Sequence, residues 1–467
     1  MIGFVVAAPL VFAIAVRIVP KREVRRIARV VLAFVAALMS LAAFGSIDRL
    51  SMLFAGLVSF LALLATIFSS SIFADDWTEG YAIWSRKPAY FIMLGAFWSS
   101  MLLVVLASNF TLLWLGVSIT TLATAFLVGY SGEAAALEAA WKYLVLCGVG
   151  IAFAMLGLIV LAHVAIANGV DPGSAFSWTA IAARGHIGAV SPLARVAVAL
   201  MIVGFGTKAG LVPMHAWLPD AHSKAPAPIS ALLSGLLVSC ALYAIARTLS
   251  VAAPLGAANF AYELLLWLGA LSTAVAGALM LVQRDLKRLL AYSTIEHAGI
   301  VALAFGFGTT LGWFAALLHI AVHAFAKSSA FFATGIVQRE RGSTEIARLR
   351  ALWNEGSAGR LLLAVLGALS GMPPFGLFVT EMLVVVAGIA AGAWIPLALA
   401  MIGLLLAFAT LARVAIEIEG GGRVPTAAWS VPIPLAPLHR RVAAATVAAA
   451  LTGCIALGIV PWIRPFP

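Results

Sequence analysis

His319, His323 and Lys327 stand four residues apart in HIAVHAFAK, inside an otherwise apolar run. On an α-helix the positions i, i+4 and i+8 share one slowly drifting stripe, here about 12 Å long. Three titratable groups aligned along a membrane helix have the form of a proton relay. Two other readings stay open: polar side chains packed for structure, and a metal site. For the metal, two histidines without a nearby carboxylate or cysteine are a thin ligand set.

Lys208 lies in GFGTKAGLVPMHAWLPDAHSKAPAP with no counter-charge within a helical turn. Pro213 is expected to break its helix, because proline has no N–H to donate and clashes with the preceding turn. A lysine that snorkels to an interface is the plainer reading. Glu381 follows Pro373 and Pro374 in SGMPPFGLFVTEMLVV, so the chain shows one device twice: a broken helix with an intramembrane charge. Paired interrupted segments in two halves are what internal transporter repeats leave in a sequence. The breaks free backbone groups, which membranes tolerate only against protein or a water-filled cavity.

Three further residues complete the candidate set. His222 lies in the polar reversal after Pro213. His297, in RDLKRLLAYSTIEHAGI, is either a relay member or a histidine satisfied by a backbone carbonyl. Lys142, in AAWKYLVLCGVG, is either a relay member or a snorkelling lysine. His163 and His215 say less. With loop charges removed, Lys142, Lys208 and Lys327 are the basic groups within apolar spans, and Glu381 is the acidic one.

The elements that must position these groups are membrane helices. Of 467 residues, 63% are hydrophobic and 10% charged, and the mean hydropathy is +1.09. That is the composition of an all-α polytopic membrane bundle, in which length does not count domains. Apolar runs near 2–19, 27–44, 51–73, 88–107, 109–130, 140–165, 194–216, 226–250, 261–283, 289–308, 311–337, 360–390, 393–416 and 442–463 predict about fourteen transmembrane helices. A single membrane domain, 1–467, then divides into 1–87, 88–250, 261–416 and 442–463. The first run has no basic residues before it and no cleavage pattern, so it reads as a retained helix.

The net charge of +11 does not point to nucleic acid, because its placement is a topology signal. Nineteen lysines and arginines fall in the odd-numbered connections against five on the opposite side, which puts both termini outside. Cys147, Cys240 and Cys454 are far apart in apolar runs, so disulfide frameworks, zinc and iron–sulfur ligation are not expected. The connection 166–193 shows no periodic pattern. The connection 338–359 predicts a short amphipathic helix with Ile346, Leu349, Leu352 and Trp353 on one face. Asn109-Phe110-Thr111 is a glycosylation sequon by letters only, and Gly204-x-Gly206-x-x-Ala209 lacks the strand–turn–helix context of a dinucleotide site.

KAGLVPMHAWLPDAHSKAPAPISALLSG, RDLKRLLAYSTIEHAG, HAFAKSSAFFATG and GMPPFGLFVTE resemble the proton-antiporter-like subunits of complex I and its relatives. WKYLVLCGVGIAFAMLG, LSGLLVSCALYAIAR, YSTIEHAGI and MPPFGLFVTE look most like component F of hydrogenase-4-type complexes. The resemblance covers about 88–390 in order along the chain. It implies two inverted five-helix repeats with helices 7 and 12 broken, and no redox cofactor of the chain's own. It makes Lys208 the lysine of the first broken helix, His319, His323 and Lys327 the connecting stripe, and Glu381 the charge of the second. Two positions depart from the family: Ser118 stands where an intramembrane glutamate would pair with the first lysine, and Ser239 where many relatives have Lys or His.

The resemblance implies a non-catalytic proton-channel subunit of an oxidoreductase complex in a bacterial or archaeal plasma membrane. Its partners would be other membrane subunits, peripheral redox or hydrogenase subunits and the lipid bilayer, with no nucleic acid. The alternatives are a multisubunit Na+/H+ antiporter module, a proton-coupled inorganic-carbon uptake system, and a membrane scaffold with vestigial charges.

Overall fold

Asp48, Asn109, Asp285 and Thr309 each stand just before an apolar run, and each side chain accepts a backbone N–H of the first helical turn. The partners are Ser51, Leu112, Arg288 and Gly312, at 3.0, 2.9, 2.9 and 3.1 Å. Such caps satisfy donors that a helix start otherwise leaves unpaired. Asn109, the sequon residue, is therefore an N-cap.

The computed structural model describes residues 2–19, 22–42, 45, 47–73, 87–184, 192–350, 352, 357–420 and 435–463. Its helices are α1 (Ile2–Ala15), α2 (Arg22–Ala42), α3 (Arg49–Ile72), α4 (Lys87–Val105), α5 (Phe110–Val128) and α6 (Ala134–Ala167). The short α7 (Trp178–Ala183) precedes α8 (Pro192–Ala209), α9 (Trp217–Lys224), α10 (Ala227–Leu232) and α11 (Val238–Ala252). Then come α12 (Ala258–Met280), α13 (Leu286–Gly306), α14 (Thr310–Arg341), α15 (Ser357–Leu369), α16 (Gly376–Ala390), α17 (Trp394–Glu419) and α18 (Pro437–Ile463). Among the described residues ten helical spans are long and apolar enough to cross a membrane, and four more apolar helices are shorter. The expected all-α membrane bundle is what the chain forms.

Burial separates an inner from an outer layer. The spans of α13 and α14 are 94% buried, and Ala227–Ala252 wholly so, against 39% for α6 and 33% for α18. The outer helices show Phe126, Trp141 and Leu405 to the bilayer. Polar side chains on the inner three spans can only line the interior. A π-turn, Leu233–Leu237, joins α10 to α11 inside one continuous span.

Two connections differ from expectation. The segment 166–193 holds α7, whose Trp178 packs edge-on to Phe110 at 5.4 Å. In 338–359 the chain continues α14 to Arg341 and then makes a single 3₁₀ turn, Ile346–Arg348. Ile346, Leu349 and Leu352 are buried there, while Trp353 lies outside the described residues. The αL glycine Gly342 ends α14, and the described residues between it and Ser357 hold no α-helix.

Candidate functional site

The inner helices bring the second-half candidates together. His297 on α13 and His319 on α14 share a hydrogen bond, Nδ1 to Nε2, at 3.1 Å. His319 Nδ1 lies 2.9 Å from Thr380 Oγ1 on α16. Thr380 donates its own proton to Leu377 O at 3.0 Å, so the hydroxyl must accept from His319 Nδ1–H. With neutral rings this network assigns the tautomers: His319 Nε2 accepts from His297 Nδ1–H. His297 Nε2 is then a bare acceptor with no hydrogen-bond partner among the described residues. It lies 3.6 Å from Glu296 Oε2.

His323 completes the cluster, its ring centroid 5.2 Å from that of His297 and 6.4 Å from that of His319. Lys327, fully buried, donates to Leu290 O at 3.3 Å. Glu296 and Lys327 attract each other electrostatically, and Glu381 feels the charge of Glu296. Lys327, Glu296, His297, His319 and Thr380 thus form one buried line that ends beside Glu381 in the chain. Among the described residues no group of three or more His, Cys, Asp or Glu side chains is placed to hold a metal ion.

Glu296 was missed in the sequence reading, which left Glu381 as the acidic group within the apolar spans. It lies beside His297 and is 1% exposed. The missed signal was depth: ten residues past the start of α13 is about 15 Å along a helix. Lys287 was also assigned to a loop, yet it is buried and donates to Ala225 O.

Lys208 has a different environment. It donates to Thr121 Oγ1 at 2.7 Å and to the Tyr143 hydroxyl, and lies 4.5 Å from the centroid of the Tyr143 ring. Tyr143 in turn bonds Thr124 at 2.5 Å. The thiols of Cys147 and Cys240 complete its electrostatic surroundings. Among the described residues no carboxylate pairs with it. Ser118 does not take the place of one: its hydroxyl donates to Trp114 O on its own helix at 2.8 Å. Thr121, three residues on, is the side chain that meets Lys208. Ser239 likewise donates within its helix, to Gly235 O at 2.7 Å.

Glycine, not proline, stops both broken helices. Gly210 and Gly371 have φ of +77° and +66°, a conformation that costs glycine least. In each case the next N–H reaches back five residues, Leu211 to Gly206 O and Met372 to Gly367 O, at 2.9 and 3.4 Å. That is a Schellman closure. Pro213 and Pro374 follow at the same offset, each behind a cis peptide bond. Counting from the glycines, Glu381 occupies the place of Asp220, not of Lys208. The two intramembrane charges are therefore not counterparts.

Asp220 faces a charged surface, accepting from Arg288 at 2.7 Å and Lys142 at 3.4 Å. Lys142 also pairs with Glu138 at 2.7 Å, and its side chain is 48% exposed. It therefore stands apart from the buried line. His222 is buried, stacked on Phe331 at 5.3 Å, and neither ring nitrogen has a partner among the described residues. Lys287 and Lys327 act on it electrostatically.

The family model described as NADH:quinone oxidoreductase/Mrp antiporter, transmembrane, matches residues 107–410. A hydrogenase-4 component F homolog from Methylacidiphilum infernorum is 36% identical over 380 residues, 80% of this chain and 79% of that protein. An NADH-quinone oxidoreductase subunit N from Symbiobacterium thermophilum is 31% identical over 428 residues, 89% of this chain and 82% of its own. A chain of respiratory complex I from Thermus thermophilus superposes with a TM-score of 0.75 at 25% identity, covering 98% of both chains. A chain of the Mrp complex from a Dietzia species reaches 0.83 at 18% identity over 99% of this chain and 94% of that one, a likeness of fold alone.

Proposed function

The chain belongs to the NADH:quinone oxidoreductase/Mrp antiporter transmembrane family, and from that premise we propose that it carries protons through the membrane arm of a hydrogenase-4-like or NADH:quinone oxidoreductase-like complex. Electron transfer would take place in partner subunits. The observation that carries this reading is the buried line from Lys327 through Glu296, His297 and His319 to Thr380. A proton arriving at His297 Nε2 releases the one on its Nδ1 to His319 Nε2. His319 then gives up its Nδ1 proton to the Thr380 hydroxyl as that hydroxyl releases its own proton to a carboxylate beyond, for which Glu381 is the candidate. Each ring ends with one proton, as it began, on the opposite nitrogen. His222 stands at the other end of the line, next to Lys327, and Lys208 forms a separate site. Lys142 supports the charged entrance with Asp220 and Arg288.

The family also includes antiporters, and one measurement separates the readings. Proton uptake by vesicles holding the whole complex should follow electron-donor addition, require no Na+ or K+, and collapse in Lys327→Met. Uptake driven by a cation gradient without an electron donor would favour the antiporter.

Fourteen crossings with two repeats and both termini outside complete the proposal. Cys147, Cys240 and Cys454 are all buried, so a single exposed probe has little background. Ala347→Cys should react with an impermeant maleimide only from the cytoplasmic face. Labelling of intact cells from outside would reverse the orientation.

A further inference from the structure

The cleft between α1, α2, α3 and α4 shares no residue with the buried line. It encloses about 380 Å³ of empty space, part of it open to the outside, between the apolar side chains of Phe12, Val16, Leu32, Phe91, Leu94 and Trp98. One cation stands in it. The Arg29 guanidinium lies 4.1 Å from the centroid of the Phe91 ring. Among the described residues Arg29 makes no ion pair or hydrogen bond. Its neighbours are engaged: Arg25 Nε donates to Val19 O at 2.8 Å, and Arg26 contacts His439. A half-buried guanidinium without an acceptor is costly at membrane depth, and the described residues supply none.

A second donor on the cleft is also unsatisfied. Trp98 is 3% exposed, and its Nε1–H has no acceptor among the described residues. From Arg29 to Ala36 along α2, and from Phe91 to Trp98 along α4, the cleft runs about 10 Å into the bundle. Its polar end is the end that carries Arg25, Arg26 and Arg29.

We propose that this cleft binds an anionic phospholipid, with its phosphate on Arg29 and one acyl chain lying along the cleft towards Trp98. The phosphodiester supplies the acceptor that Arg29 lacks. The apolar walls take the chain, as basic pockets between membrane helices do for anionic lipids.

The test uses the intact complex in nanodiscs with phosphatidylglycerol carrying a photoactivatable acyl chain. Cross-links should fall on α2 and α4 peptides about tenfold more than with phosphatidylcholine of the same chains. Arg29→Gln should bring the two lipids within about twofold, while Arg17→Gln, an exposed arginine at the same end, leaves the preference intact. Leu32→Trp, which fills the cleft, should remove labelling by both lipids. Equal labelling by the two lipids in the wild type, or a preference that survives Arg29→Gln, overturns the proposal. Displacement by millimolar inorganic phosphate would also overturn it, because the site would then be one for a bare anion. Cross-linking of these peptides to another subunit in the complex would overturn it as well, since protein would cover the cleft.

Discussion

The two broken helices share a closure and differ in what surrounds their charges. Gly210 and Gly371 end them alike, with Pro213 and Pro374 at the same offset. Around Lys208 stand two hydroxyls and two thiols, none of them charged. In the second half the broken helix carries Glu381, and next to it the uninterrupted α14 holds Lys327 among Glu296 and a cluster of three histidines. A cation held by neutral acceptors has little to exchange a proton with, whereas alternating acids and bases can pass one along. The same backbone device therefore stands beside an isolated cation in the first half and beside a line of acids and bases in the second.

The largest expected effect tests this difference directly. Glu381→Gln should lower proton uptake by the whole complex about tenfold or more, equal to about 1.4 kcal/mol on a barrier. Lys208→Met should change it by less than about twofold. Equal damage from both would mean that the first half also carries, with a charge supplied by a neighbouring subunit.

A middling effect is expected from giving the first half what it lacks. Thr121→Glu places a carboxylate at the position whose hydroxyl already meets Lys208. The single variant should fold and be tolerated. Adding Lys208→Met to it should then destabilise the protein by about 3–5 kcal/mol, the usual cost of leaving one buried charge unpaired. Thermal unfolding of the two variants and the double would measure it. Additive effects would show that the pair never forms.

The smallest effect concerns a charge the first half uses for holding. Arg247, 7% exposed, donates to Asp48, to Ser51 at 2.9 Å and to Tyr243 at 3.0 Å. Burial alone would raise the Asp48 carboxyl, but the Ser51 N–H and the Arg247 guanidinium outweigh it and hold it below its usual value. The unfolded chain then binds the extra proton, so the stability this pair contributes is present above about pH 4 and is lost as pH falls through the lowered value. Because the Asp48 side chain is 49% exposed, screening keeps the contribution small. Asp48→Asn should flatten the acid side of the stability profile slightly and leave proton uptake unchanged.

What the sequence made legible follows from what a helix makes periodic. The His319, His323 and Lys327 stripe and the apolar spans were readable because one helix fixes them. The hidden parts depend on rotation and depth. Ser118 and Thr121 differ by three residues, and only the packed orientation of α5 decides which faces Lys208. Glu296 was overlooked because α13 begins among loop charges and carries it deep inside. The prolines drew attention to the breaks, yet a left-handed glycine three residues earlier makes each one. Lys142 looked intramembrane because α6 runs 34 residues, longer than a membrane needs.

The π-turn at Leu233–Leu237 gives its helix one residue more than a regular helix would fit in the same length. Each residue is worth about 100° of azimuth, so the turn works as a phase shifter along Ala227–Ala252. Inside it, Ser234 meets Thr294 at 2.6 Å. Above it, Tyr243 and Arg247 meet Ser51 and Asp48 at the far end of the bundle. A regular helix could aim one of these sets correctly, but the other would point about a quarter turn away. That single extra residue lets one rod meet α13 at one end and the outer latch at the other.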